Sequence, residues 1–178
     1  MADETPARVA LLLRGINVGK HNRIPMAELR RVLVAVGCDD IVTYLQSGNA
    51  VVTADPAALA ARTEQALRDE VGLDVRVLQR TGPQLAAVVA ANPFPEREAT
   101  PKQLHVAFLD TPLDQASLDA VGTRHGDDEL ALAAGELYLS YAGSSYDSTL
   151  GKVLPKLGVV MSARNWTTVL KLAELTAR

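Results

Sequence analysis

Cysteine, aromatic residues and long apolar runs are all scarce in this 178-residue chain, and each scarcity excludes something. A single cysteine, Cys38, leaves no internal disulfide framework, no cysteine-paired zinc site and no C-x-x-C redox motif, and it points to a reducing compartment. The thiol reads as a small buried hydrophobe. Aromatics make up 4% of the chain, and the candidate strands Val9 to Leu13 and Val75 to Leu78 carry none. A sheet that reads RNA by base stacking needs them there. No apolar stretch approaches the ~20 residues that span a bilayer. The opening MADETPARVALLLRG places acidic residues first, unlike a signal peptide, so a cytoplasmic protein is expected. His21, His105 and His125 show no metal-ligand spacing, and H-E-x-x-H, G-x-G-x-x-G and G-x-S-x-G are absent. Neither a metal nor a cofactor is expected.

What is present is regular punctuation by Gly and Pro between apolar segments. Ala7 to Leu13 reads as a central strand. Pro25-Met26 opens an amphipathic helix with Met26, Leu29, Leu33 and Val36 on one face, closed by Gly37. Ile41 to Leu45, the turn Ser47-Gly48-Asn49 and Ala50 to Val52 read as a hairpin. Asp55-Pro56 is expected to cap a helix that ends at Gly72, and Val75 to Leu78 is a further strand. The order βαββαβ over residues 7–80 is the split arrangement of ferredoxin-like folds.

The remainder repeats much of that order. Thr81-Gly82-Pro83 starts a helix, Leu104 to Leu109 is a strand, and Thr111-Pro112 is expected to cap the next helix. Leu130 to Ala133 and Leu137 to Tyr141 flank a turn at Ala134 to Glu136. Two helices follow, one around Leu150 to Leu157, where Pro155 kinks it or marks its start, and one from about Asn165 to Leu175. The fold class is α+β: a ferredoxin-like half over residues 1–80 and an α/β half over residues 81–178, with Asn92-Pro93-Phe94-Pro95 as linker.

A net charge of −3 conceals strong asymmetry. Residues 8–31 carry Arg8, Arg14, Lys20, Arg23, Arg30 and Arg31 against Glu28 alone. Residues 148–178 carry Lys152, Lys156, Arg164, Lys171 and Arg178 against Glu174. Residues 96–136 hold nine acidic side chains and three basic ones.

Three constellations carry candidate chemistry. The stretch Arg14-Gly15-Ile16-Asn17-Val18-Gly19-Lys20-His21-Asn22 is a strand end entering a glycine-bounded loop, a setting in which backbone amides and a basic side chain converge on an anion. It is no nucleoside-triphosphate loop, because three residues rather than four separate the glycines and His21 stands where a hydroxyl is required. The second is Gln46-Ser47-Gly48-Asn49 at the hairpin tip, whose residues equally suit a plain turn. The third is Ser162 to Leu172, where Ser162 or Asn165 is expected to cap a helix and Trp166 to face the core. Arg164, just before that helix, adds positive charge where the helix dipole is already positive, which calls for a nearby anion.

LLRGINVGKHNRIPMAELR, then YLQSGNAVV, then ARNWTTVLKLAEL resemble, in that order, the bacterial family known as domain of unknown function 1697. The resemblance implies a soluble bacterial protein with two ferredoxin-like halves and implies no activity, cofactor or substrate. Its motif positions fall on Arg14, Gly15, Asn17, Gly19, Lys20, Ser47, Gly48, Asn49, Arg164, Asn165, Trp166 and Lys171. Ser162 and Ala163 replace the Thr frequent before Arg-Asn-Trp, and Pro155 interrupts a stretch usually more helical.

These residues are the expected binding set for a small anionic ligand, phosphorylated or nucleotide-like. Two other readings stand beside it. One is an enzyme using the same residues, with Lys20 or His21 as acid/base and Arg14 or Arg164 stabilising negative charge. The other is an interaction module without catalysis, binding a protein or, electrostatically, nucleic acid. No membrane partner is expected.

Overall fold

The computed structural model describes residues 6–178, which divide into two compact units, residues 6–85 with 172–178, and residues 86–171. In the first unit β1 (Ala7–Leu13) is central, and Val9 to Leu13 are wholly buried, as the unbroken apolar run requires. Helix α1 (Met26–Ala35), strands β2 (Asp39–Tyr44) and β3 (Asn49–Ala54), helix α2 (Leu59–Val71) and strand β4 (Val77–Thr81) follow. The antiparallel sheet runs β2-β3-β1-β4, the strand order of the ferredoxin-like split βαβ. Val9, Leu11 and Leu13 pack with Leu29, Val32 and Leu33 of α1 and Leu59 and Leu67 of α2, so both helices cover one face.

Two boundaries differ from the sequence reading, for tertiary reasons. Helix α2 begins at Leu59, three residues beyond the expected Pro56. Asp55 does accept a backbone hydrogen bond, from the Ala57 N–H at 2.8 Å, but this closes a turn and not the helix. An orphan donor of the first turn, Ala60 N–H, goes instead to the Gln79 side chain on β4 at 2.9 Å, and Gln79 also donates to the Pro56 carbonyl. Strand β4 lies two residues later than Val75 to Leu78 and includes the polar Gln79, Arg80 and Thr81, because these pair with Leu11, Ala10 and Val9 of the central strand.

Helix α3 (Gly82–Ala90) comes next. Gly82 needs to be glycine: a Cβ there would lie 3.0 Å from the Thr176 carbonyl oxygen. The Arg8 guanidinium likewise donates to the Leu175 carbonyl, so the C-terminal residues 172–178 belong with the first unit.

The second unit contains β5 (Leu104–Leu109), α4 (Gln115–Val121), β6 (Arg124–His125), β7 (Asp128–Ala133), β8 (Glu136–Ser140), α5 (Leu150–Val153), β9 (Met161–Asn165) and most of α6 (Trp166–Thr176). Its antiparallel sheet runs β6-β7-β8-β5-β9. Without the short β6, that is the order of the first sheet again, and the α+β reading with two ferredoxin-like halves holds. The N-cap of α4 is Asp114, not Thr111. Its carboxylate accepts the Ser117 N–H at 2.7 Å, and that bond holds its pKa below the ordinary value. At Pro155 the α-helical turn gives way to a 3-10 turn, Leu154–Leu157. The Asn92 to Pro95 stretch is ordered: Asn92 accepts the Phe94 N–H at 2.9 Å, Phe94 is buried, and a 3-10 turn, Pro95–Ala99, follows.

The largest departure is β9. Ser162 and Arg164 were expected beside a helix start, but they lie in a strand that pairs with β5, with Arg164 opposite Val106. Asn165 is the capping residue, accepting the Thr168 N–H at 2.9 Å; Ser162 is not. Among the described residues no helix is long and apolar enough to cross a membrane.

His105 on β5 meets Tyr141 edge to face, with ring centroids 5.1 Å apart, and its buried Nδ1 has no hydrogen-bond partner among the described residues. Burial pushes its pKa below 6.5. The unfolded chain therefore takes up this proton first, and the stabilisation is whole above pH 6.5 and lost as pH falls below it, by at most about 1.4 kcal/mol per pH unit. Urea midpoints at pH 7.5 and 5 should fall further apart in the wild type than in His105→Leu; equal pH dependence would refute a buried neutral imidazole.

Candidate functional site

The site is built where β1 ends. The Leu13 N–H donates to the Gly48 carbonyl at 2.8 Å and the Arg14 N–H to the Arg76 carbonyl at 2.9 Å, so the strand is held to both neighbours up to its last residues. Beyond it the chain makes a closed excursion over residues 15–24. Ile16 and Ile24 are buried and pin its two ends into the core of the first unit. The Asn17 N–H donates to the Asn22 carbonyl at 3.0 Å, Val18 and His21 form a bridge, and the Asn22 side chain donates to the Gly15 carbonyl at 3.3 Å. The path needs left-handed backbone at Gly15, Asn17, Gly19 and Asn22, which Gly and Asn tolerate best.

Asn17 is the hub. Its side-chain amide donates to the Ile24 carbonyl at 3.0 Å and to the Gln46 carbonyl at 2.8 Å, and its oxygen accepts the Ile24 N–H at 2.9 Å. The loop after β1 is thereby tied to the β2–β3 hairpin tip. A second joint lies at Gly48, where a Cβ would fall 2.9 Å from both Ile16 Cγ1 and Leu13 Cβ. Its φ of +86° asks for glycine as well. Asn49 is fully buried and closes the turn by donating to the Tyr44 carbonyl and the Ser47 hydroxyl, both at 3.0 Å. The first two constellations therefore meet within one unit.

The basic side chains of this region divide into two kinds. Arg31 pairs with Glu28 and Glu70, Arg30 donates to the Thr43 hydroxyl, Arg8 donates to the Asp40 and Leu175 carbonyls, and Arg23 to the Gly19 carbonyl. Arg14 and Lys20 are exposed, and among the described residues neither side chain makes a hydrogen bond or ion pair; the same holds for His21. Two cations with no partner among the described residues thus border a loop tied down by Ile16, Asn17 and Gly48. Two features escaped the sequence reading because only exposure shows them: Val18 and the left-handed Leu45 are apolar and face solvent.

The third constellation lies in the second unit as far as Lys171. The Arg164 guanidinium is 8% exposed and donates to the Ser162 hydroxyl and the Ala163 carbonyl, both at 2.8 Å. Burial pushes its pKa down to about 10. Trp166 is buried and its backbone N–H donates to the Pro101 carbonyl at 3.3 Å, and Lys171 is half-buried on α6. No group of three or more His, Cys, Asp or Glu able to hold a metal occurs among the described residues.

A family model described as "Protein of unknown function (DUF1697)" matches residues 7–138. A solved structure described as that of the conserved bacterial protein SP0830 from Streptococcus pneumoniae superposes with a TM-score of 0.78 over 97% of this chain and 99% of that one, at 23% identity. That likeness is one of fold. No curated protein matches the chain.

Gly48→Ala should lower unfolding stability by about 2 to 4 kcal/mol, since it combines left-handed strain with overpacking against Leu13 and Ile16. Denaturant unfolding tests this, and a loss under 0.5 kcal/mol, of the order of an ordinary surface change, would show that the two loops are not locked here.

Proposed function

This chain belongs to the DUF1697 family of proteins of unknown function, and we propose that it binds a small anionic ligand, phosphorylated or nucleotide-like, at the loop following β1. The observation that supports this is the contrast within one basic segment: Arg8, Arg23, Arg30 and Arg31 donate to carbonyls, a hydroxyl or carboxylates, while Arg14 and Lys20 flank the same loop with no partner among the described residues. Cations without a partner need break no existing hydrogen bond or ion pair when an anion arrives. Gly15, Gly19 and Ser47 add little side-chain bulk. The proposal rests on the first unit alone. An acid/base role for Lys20 or His21 gains no support, because neither side chain is within hydrogen-bond reach of a carboxylate, hydroxyl or second histidine among the described residues.

Thermal unfolding against inorganic phosphate, sugar phosphates, nucleotides and short oligonucleotides tests the reading. A ligand at a hundred times its dissociation constant should stabilise the wild type by about 2.7 kcal/mol, and the double variant Arg14→Ala/Lys20→Ala should lose that shift. A flat panel, or a shift the double variant retains, would overturn the proposal. Stabilisation by oligonucleotides alone, falling steeply with salt, would replace it with a nucleic-acid interface.

A further inference from the structure

Just ahead of β5 the second unit carries a cavity of about 340 Å³, open to solvent and mostly apolar, lined by Thr100, Pro101, Lys102 and Gln103. That volume lies at the lower end of the range in which proteins hold small ligands. The wall is held from several sides. The Gln103 N–H donates to the Thr100 carbonyl at 2.8 Å, which closes a turn with Pro101 at its first central position, where proline is favoured. The Trp166 N–H donates to the Pro101 carbonyl at 3.3 Å and the Tyr141 N–H to the Gln103 carbonyl at 2.8 Å. The Gln103 side chain donates to the Ala142 carbonyl at 3.3 Å and accepts from the Arg97 guanidinium at 3.1 Å. The Thr100 N–H and hydroxyl both donate to the Arg97 carbonyl, at 2.9 and 3.4 Å.

The polar groups of three of the four lining residues are thus engaged within the protein. Lys102 differs. It is exposed, and among the described residues neither its ammonium nor its backbone N–H has a partner. A solvated lysine alone is ordinary. This one borders a preformed apolar hollow, and its two donors match the two oxygens of a carboxylate. One cation suits one negative charge, and the wall has no further donor free for a phosphate. We propose that this cavity binds a small organic monocarboxylate, its carboxylate on Lys102 and its apolar body against Thr100, Pro101 and the Lys102 stem. The site lies within the second unit and does not rest on the anion-binding reading above.

Titration of the protein with benzoate, cyclohexanecarboxylate and hexanoate, followed through its backbone amide NMR signals, tests the assignment. At least one of the three should shift the Lys102 and Gln103 signals saturably. Acetate, which lacks the body, and the matching neutral alcohol, which lacks the charge, should each bind about tenfold or more weakly. Lys102→Met keeps the stem and should lose the same factor, whereas Lys102→Arg should retain affinity; both should melt with the wild type, because the side chain is exposed and makes no printed-out contact to lose. Arg14→Ala/Lys20→Ala should bind the carboxylate as the wild type does. Absence of saturable shifts at Lys102 and Gln103 with all three probes, an affinity matched by acetate or the alcohol, or full affinity in Lys102→Met would overturn the assignment. Loss of binding in Arg14→Ala/Lys20→Ala with Lys102→Met unaffected would place the carboxylate on the loop after β1 instead.

Discussion

A wholly buried strand must have its backbone paired on both sides, and much of the structure follows from that constraint acting twice. Val9 to Leu13 of β1 and, apart from the half-buried His105, Leu104 to Leu109 of β5 are apolar and buried, so neither can leave an edge unpaired. Each takes one partner from a hairpin, β3 or β8, and each needs a second partner from a segment much farther along the chain. Those second partners are Val77–Thr81 and Met161–Asn165. Their sequences, VLQRT and MSARN, have little strand character, and they are strands because a central strand requires them.

The candidate site inherits its rigidity from the same strand. Where β1 runs out, the Leu13 N–H is still bonded to Gly48 and the Arg14 N–H to Arg76, so the following loop starts from a fixed backbone. Ile16 and Ile24 plug it into the core, and the Asn17 amide fastens it to the hairpin tip. Asn17, Gly48 and Asn49 thus build the frame, and the exposed Arg14, Lys20, Val18 and Leu45 are what the frame presents. A segment rich in glycine and left-handed residues is ordinarily mobile. Here it is held by side-chain amides that satisfy backbone groups no sheet or helix reaches.

Charge is handled differently in the two units. In the first, Arg31 pairs with two carboxylates, Arg8, Arg23 and Arg30 donate to carbonyls or a hydroxyl, and Arg14 and Lys20 have no such partner among the described residues. In the second, Arg164 sits in a strand, largely out of water, with hydroxyl and carbonyl acceptors on its guanidinium. An arginine that the sequence places beside a helix start is, in the fold, a strand residue whose head group is hydrogen-bonded.

Local pattern by itself determined β1 and β5 to the residue, the end of α1 at Gly37, the end of α2 at Gly72 and the two hairpins, because apolar runs, positive-φ glycines and turn residues act within a few positions of one another. It also determined which loop would hold the motif residues. Only the tertiary structure decided that Gln79 would cap α2, that polar residues would complete both sheets, that the loop after β1 and the hairpin tip would join through Asn17 and Gly48, and which basic side chains would find partners among the described residues. Each of these depends on groups distant in sequence satisfying one another's hydrogen bonds or charges, and such pairings have no signature in the residues immediately around them.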